Sequence, residues 1–395
     1  MERHYRPTRA EISLDALRHN LSAFRAALPE GMFILASVKA NAYGHGSVEI
    51  AKEAEAFGID YFGVAFLDEA LQLRNAGVRK PILVLGFVPA EGLLLAREHN
   101  ITIALYRNDI LDAIAALPPD AEGKRLKAHI KIDSGMGRLG LLGVEEASVF
   151  IERAMQVPGL EVEGLFTHYA RADEADKSYT ELQYRRFSEV ADYVKRHQLP
   201  IPLIHAANSA AGMETPEFAY SMVRLGIAMY GLYPSAEVGR ETIQLEPVMS
   251  LKTEVVHVKD APEGWGISYG TRYFTQGTER IGTLPVGYAD GYSRMLTGKA
   301  QVLIRGVKAP VLGAICMDQC MVALDKAGGD DPVRNGEEVV LIGRQGDSVI
   351  TADDIADQLG TINYEVTCMI SARVPRVYRK NGQIVAVDNP IVRQQ

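Results

Sequence analysis

The sequence predicts an α/β fold: a (β/α)8 TIM-like barrel over residues 1–244, followed by a C-terminal mainly β domain over 245–395. Three observations carry this expectation. Short apolar runs rich in β-formers recur through the first 240 residues, with helix-period stretches between them. Eight strand–helix units in about 240 residues is the size of such a barrel. After about Glu246 the texture changes to strand-like runs separated by turn residues. A doubly wound parallel sheet is the alternative for the first half.

The eight runs are MFILASVKA (32–40), YFGVAF (61–66), ILVLG (82–86), ITIALY (101–106), KAHIKID (127–133), EGLFTH (163–168), LIHAANS (203–209) and MVRLGIAMYG (222–231). SVEIAKEAEAFG and DEALQLRNAG are helix-period stretches that end in glycine, a common helix stop. In the second half, MSLKTEVVHVKD, RIGTLPVGYAD, QVLIRGVKAPVLGAI, CMVALD and EEVVLIG read as strands. Only TADDIADQLG reads there as a helix, with Thr351 as its N-cap.

The net charge of −8 argues against a nucleic-acid partner, which needs a basic face. Three cysteines, Cys316, Cys320 and Cys368, without a C-x-x-C pair, fit a reducing compartment. MERHYRPTRAEISLDALRHN has no apolar core of signal-peptide length, and no apolar run reaches the ~18 residues of a membrane span. The expectation is a cytoplasmic protein with no membrane partner.

GMGRLG (135–140) spells G-x-G-x-x-G, the fingerprint of a dinucleotide site. It follows the fifth strand rather than the first, and the chain stays loop-like until about Gly143. Glu161 and Glu163 stand at a tempting distance for a ribose carboxylate but precede or start the next strand. The stretch therefore reads as a glycine-rich βα loop whose notable residue is Arg138.

In a barrel, chemistry sits at the C-terminal ends of the strands. The first strand ends in Lys39, with Asn41, Tyr43 and His45 behind it. A lone lysine there is most often a rim residue with its amine in water. Its functional reading is a desolvated amine suited to Schiff-base chemistry. The fifth strand supplies Lys131, Asp133 and Arg138; the sixth His168; the seventh His205, Asn208 and Ser209; the eighth Arg224, Gly226 and Ile227. A phosphate site around strands seven and eight is common in this fold, and Ser209 with the N–H groups of Gly226 and Ile227 offers one. No carboxylate cluster suggests a metal. A lysine plus a phosphate cradle fits pyridoxal 5'-phosphate.

At these positions SVKANAYGHG (37–46), KIDSGMGRLG (131–140), HAANSA (205–210), VRLGIAMYG (223–231), GISYG (266–270), GYADG (287–291), CMDQ (316–319) and GTINYEV (360–366) strongly resemble the bacterial alanine racemase family. The matches run in order from about residue 8 to 378.

The resemblance implies roles. Lys39 is the lysine that binds pyridoxal phosphate as an imine. Tyr43, Ser209, Gly226, Ile227 and Tyr364 are the phosphate ligands, and Asn208 stands in the same cofactor-binding set. Arg224 faces the pyridine nitrogen, and Arg138 the phenolic oxygen. Lys131 matches a lysine that is carbamylated in many members. His168 connects Arg224 with the catalytic Tyr269. Met317 presents a backbone N–H to the substrate carboxylate. In the family, Tyr269 and Met317 come from the partner of a homodimer with shared active sites. The implied reaction is two-base interconversion of L-alanine and D-alanine by Lys39 and Tyr269, through the substrate's imine with the cofactor, supplying D-alanine for peptidoglycan.

Two bases on opposite faces of a planar carbanion invert Cα most directly. A free phenol has a pKa of about 10, so cationic character reaching Tyr269 from Arg224 through His168 would help it act. Serine- or broad-specificity racemases are the alternative. Amino-acid decarboxylases of the same architecture favour an acidic residue where Arg224 stands. A lone-barrel pyridoxal-phosphate-binding protein would lack the β domain.

Overall fold

The computed structural model of the chain describes residues 4–329 and 331–392. They fall into two compact units. One holds Leu17–Ala42 and Ser47–Glu246. The other holds the described residues of Met1–Ala16, together with Tyr43–Gly46 and Pro247–Gln395.

The first unit is a ring of eight parallel strands: Phe33–Ser37, Tyr61–Val64, Ile82–Val84, Ile101–Leu105, Leu126–Lys131, Leu160–Phe166, Leu203–His205 and Met222–Leu225. Each expected run overlaps one of them, and Leu126–Lys131 and Leu160–Phe166 begin ahead of their runs. Neighbours pair in chain order, and the last pairs with the first, Phe33 opposite Met222. Ser221 N–H donates to the Ile204 carbonyl (2.9 Å) and Arg224 N–H to that of Ala207 (3.1 Å), which brings the last two strands together. Strands buried on both faces need apolar residues at successive positions, and Ile101–Leu105 is buried throughout. Leu35, Tyr61, Leu83 and Met222 form one layer of the interior. Helices follow the strands, among them Ser47–Phe57, Leu67–Asn75, Gly143–Met155 and Ser178–Arg196. Among the described residues no helix is long and apolar enough to cross a membrane.

The second unit is built on a mainly antiparallel sheet. Its path runs His257–Ala261, Glu279–Leu284, Cys320–Ala323, Val307–Leu312, Gln301–Ile304, Glu338–Gln345, Met249–Glu254, Arg9–Ser13, Arg376–Lys380 and Gln383–Asp388. Arg9–Ser13 was not foreseen as a strand. It lies antiparallel to Met249–Glu254 and parallel to Arg376–Lys380, so the start of the chain belongs with its end rather than with the 1–244 span. Thr351 caps Ala352–Leu359 as expected, its hydroxyl accepting from Asp354 N–H at 2.9 Å. A second helix, Asn363–Met369, follows it.

Candidate active site

The first barrel strand ends at Ser37, and Lys39 opens a turn of unusual hand. Ala40, Asn41, Ala42 and Tyr43 all have φ of 51–55°. Left-handed backbone costs roughly 1–2 kcal/mol per L-residue, so something must hold it. Within the barrel unit, Ala40 N–H donates to Glu69 (2.7 Å), Ala42 N–H to the Val38 carbonyl (2.9 Å) and Ser47 N–H to Asn41 Oδ1 (2.9 Å).

The glycines of GMGRLG wrap a carboxylate of the chain itself. Asp133 accepts from the N–H of Gly135 (2.9 Å), Gly137 (3.0 Å) and Arg138 (3.0 Å). Burial pushes that carboxyl up, but these donors outweigh it and hold it below the usual carboxylate range. A Cβ on Gly140 would stand 2.4 Å from Asp133 N, so the loop closes only with glycine there. The loop's N–H groups are thus spent on Asp133, and the dinucleotide reading falls. Arg138 is left exposed at the tip.

Lys131 is buried, with Nζ 4.3 Å over the Phe166 ring. Burial and the nearby Arg224 and Arg138 charges hold its amine well below the ordinary lysine range. Arg224 is 5% exposed and gathers four acceptors. Nη1 meets His205 Nδ1 at 2.8 Å; Nη2 meets His168 Nδ1 at 2.9 Å and the carbonyls of Thr167 and Ala206 at 2.8 Å each. Burial pulls the guanidinium down to about 10, still charged at neutral pH. Burial and the Arg224 charge keep His168 and His205 well below the ordinary histidine value, hence neutral.

Asn208 caps the helix Ser209–Glu214. Its Oδ1 accepts from Ala211 N–H (3.0 Å) and its amide donates to the Tyr169 carbonyl (3.4 Å), so the fold itself takes up both ends. Ser209 Oγ accepts from Gly226 N–H at 2.9 Å, which leaves the hydroxyl proton to donate outward. Of the two backbone donors read as a phosphate cradle, that of Gly226 is therefore turned onto Ser209. Ile227 opens the 3-10 turn Ile227–Tyr230.

The other unit carries the remaining candidates. The Tyr43 and Tyr364 rings lie 6.1 Å apart. Tyr269 is 75% exposed, on a turn where Ser268, Gly270 and Thr271 all have positive φ. Ser268 Oγ donates to the Ala314 carbonyl at 2.5 Å and lies 3.3 Å from Cys316 Sγ, joining that turn to the loop that bears Met317. Met317 is 52% exposed. Its carbonyl accepts from Ala289 N–H (3.1 Å), and that of Cys316 from Tyr288 N–H (3.0 Å). A Cβ on Gly287 would stand 2.3 Å from the Cys316 oxygen, which explains the first glycine of GYADG.

The sequence reading missed His129 and undervalued Glu163, both inside the barrel and in line with Arg224. The signal was present: alternation in KAHIKID aims His129 at the same face as Lys131.

Known proteins agree with the two-part plan. The family model described as alanine racemase, N-terminal domain, matches residues 12–234, and that of the C-terminal domain matches 248–378. Alanine racemase of Halalkalibacterium halodurans is 46% identical over 99% of this chain and 100% of its own. The solved alanine racemase of Bacillus anthracis, with L-Ala-P bound, is 41% identical with a TM-score of 0.92, covering 99% of each chain. Histidine racemase of Leuconostoc mesenteroides is 30% identical with a TM-score of 0.87, over 96% of this chain and 100% of its own. With both family domains matched in order and identity this high from end to end, the chain belongs to the alanine racemase family and is a racemase.

Proposed function

We propose that the protein interconverts L- and D-alanine with pyridoxal phosphate, using Lys39 and Tyr269 as the two bases and Tyr269 from a second copy of the chain. The observation that carries this reading is Arg224. A guanidinium has donors and no acceptor, so it suits an unprotonated ring nitrogen. Amino-acid decarboxylases of this architecture favour a carboxylate there. The donor set of the barrel unit fits the cofactor: an amine on Lys39, an outward hydroxyl on Ser209 and the N–H of Ile227 for an anion. By family resemblance Tyr43 and Tyr364 complete the phosphate ligands.

When bound, pyridoxal phosphate supplies the electron sink that acidifies the substrate Cα–H. Everything else falls to the chain. Lys39 takes or returns the proton at one face of Cα, and Tyr269 at the other. His168 is neutral and, because Arg224 occupies its Nδ1, carries its proton on Nε2. An Nε2–H donor stabilises a phenolate, which lowers the cost of ionising Tyr269. Met317 N–H and Arg138 orient the substrate carboxylate.

Lys131 lies buried beside two guanidiniums, which disfavour its cation and favour a nucleophilic amine. Its nitrogen can attack carbon dioxide and lose a proton to solvent, leaving an N-carboxylate. That step places beside Arg138 an anion that pairs with it.

A reducing compartment and a role in supplying D-alanine for cell-wall synthesis go with this reading. Alanine rather than serine rests on the identity of the relatives. An apolar pocket discriminates by only ~1–3 kcal/mol per methylene, so slow serine turnover is expected. The test is chiral chromatography of an L-amino-acid panel incubated with the protein and pyridoxal phosphate. D-alanine well ahead of every other product supports the reading; comparable D-serine or D-histidine moves the assignment to a broader racemase.

A further inference from the structure

Glu163 is placed inside the barrel by a break in strand register. Between Leu126–Lys131 and Leu160–Phe166, Ala128 pairs with Val162 but His129 pairs with Gly164, so Glu163 is the extra residue of a bulge. Bulges re-aim side chains and concentrate beside functional sites. The next residue makes the room: a Cβ on Gly164 would stand 2.4–2.5 Å from three ring atoms of His129.

Four groups from three barrel strands face the Glu163 carboxylate. Tyr61 and Thr102 (2.9 Å) donate hydroxyls to Oε1, and Lys127 Nζ lies 3.0 Å from Oε2. His129 Nε2 stands 3.4 Å from Oε1, a long contact. His129 Nδ1 then lies 2.9 Å from His205 Nε2, and His205 Nδ1 2.8 Å from Arg224 Nη1. Both imidazoles are fully buried. Phe166 stacks on His205 at 5.0 Å and meets His129 edge-on at 6.3 Å.

The direction of the two hydrogen bonds in this line follows from Arg224, and Glu163 can only favour the same arrangement. Arg224 can only donate, so His205 Nδ1 accepts. A neutral His205 then carries its proton on Nε2 and donates to His129 Nδ1. His129 in turn carries its proton on Nε2, toward a carboxylate that can only accept. Among the described residues every acceptor touching Arg224 is neutral: two carbonyls and two imidazoles.

We propose that Glu163 is a positioning residue and the remote counter-ion of Arg224, fixing through His129 and His205 the proton arrangement that orients the guanidinium. The proposal rests on the reading that Arg224 serves the cofactor. A carboxylate in direct contact would pair with Arg224 and cancel its field. Two intervening imidazoles set the geometry and leave the positive charge at the barrel's catalytic end.

The experiment is 15N NMR of histidine-labelled protein, free and loaded with pyridoxal phosphate, with steady-state kinetics of the same samples. In the wild type, His129 and His205 should each show a single protonated nitrogen, Nε2. In Glu163→Gln the His129 Nε2–H, no longer facing a carboxylate, should move from its wild-type chemical shift, and kcat should fall about tenfold with KM for alanine within about twofold. Tyr61→Phe keeps the carboxylate and should change neither. A wild-type His205 protonated on Nδ1, or on both nitrogens, overturns the proposal without any variant, even if Glu163→Gln fails to fold. A folded Glu163→Gln that keeps both the His129 Nε2–H shift and kcat also overturns it. Failure of the wild type to bind pyridoxal phosphate would sink the functional reading instead, while the tautomers of the free protein still decide the relay.

Discussion

Nη2 of Arg224 stands 2.9 Å from Nδ1 of His168, and since a guanidinium only donates, the proton of that imidazole sits on Nε2. One buried arginine therefore sets the character of its surroundings by being a donor and nothing else. Arg224→Glu inverts that: it offers acceptors where the chain now offers donors. The variant is expected to keep cofactor binding, lose racemisation and gain transamination, because a protonated ring nitrogen delocalises the substrate carbanion further. D-alanine by chiral chromatography and pyruvate by a coupled assay read both outcomes. Full racemase activity would refute the role given to Arg224.

Lys131 is buried, and burial with two cationic neighbours holds its amine well below the ordinary lysine range. Labelled bicarbonate should give a 13C carbamate resonance in the wild type that is absent from Lys131→Ala. Loss of the anion should cost about tenfold or more in kcat/KM. A wild type without that resonance, fully active in carbonate-free buffer, removes the modification from the account.

Gly164→Ala tests the packing of the barrel interior. Its Cβ would meet the His129 ring at 2.4–2.5 Å, well inside contact distance. Overpacking a close-packed core costs typically ~1–3 kcal/mol. A lower urea midpoint with an unchanged denaturant slope is expected. An unchanged midpoint would mean that the His129 ring moves aside freely.

Acid should weaken the fold earlier than carboxylates alone would. Burial keeps His129, His168 and His205 below the ordinary histidine value of 6.5, neutral in the folded chain. As pH falls, the unfolded chain binds protons that the folded chain refuses. Their effect is therefore absent above about pH 6.5 and destabilises progressively below it, by up to about 1.4 kcal/mol per pH unit for each histidine. Glu163 adds a later loss. Burial raises its carboxyl, but the facing His129, Tyr61 and Lys127 outweigh this and hold it at about 2, against the ordinary 4.5. Its stabilisation is complete above the higher value and disappears between the two. Urea unfolding between about pH 8 and pH 5 checks the first step; a flat stability across that range would contradict neutral buried histidines.

Much of this was legible in the sequence, because the eight barrel strands are apolar runs at regular spacing and several carry or lead into polar residues. Lys39, Lys131, His168 and Arg224 stood out for that reason. Three features did not. KANAY contains two alanines and nothing that announces a left-handed turn; the contacts of Glu69 and Asn41 hold it there. Arg9–Ser13 is short, and its partners lie far along the chain. Glu163 looked like the edge of a strand because the bulge that turns it inward exists only in register with Leu126–Lys131. Asn208, expected in the cofactor-binding set, is also the N-cap of Ser209–Glu214, a role its sequence context did not single out.

The placement of Arg9–Ser13 has a consequence for how the protein is made. Ala10 and Ile12 are fully buried in a sheet whose adjoining strands contain Leu251 and Arg376. This segment leaves the ribosome long before Met249–Glu254 and Arg376–Lys380, so it is slow to find both neighbours. At ~5–20 residues per second that wait is on the order of tens of seconds. Throughout it the nascent chain carries an unpaired, apolar β-edge, the kind of segment that recruits the wrong strand. A gene fragment ending after the barrel would leave that edge open permanently, so holdase demand and inclusion-body formation should track the completeness of the C-terminus rather than the quality of the barrel.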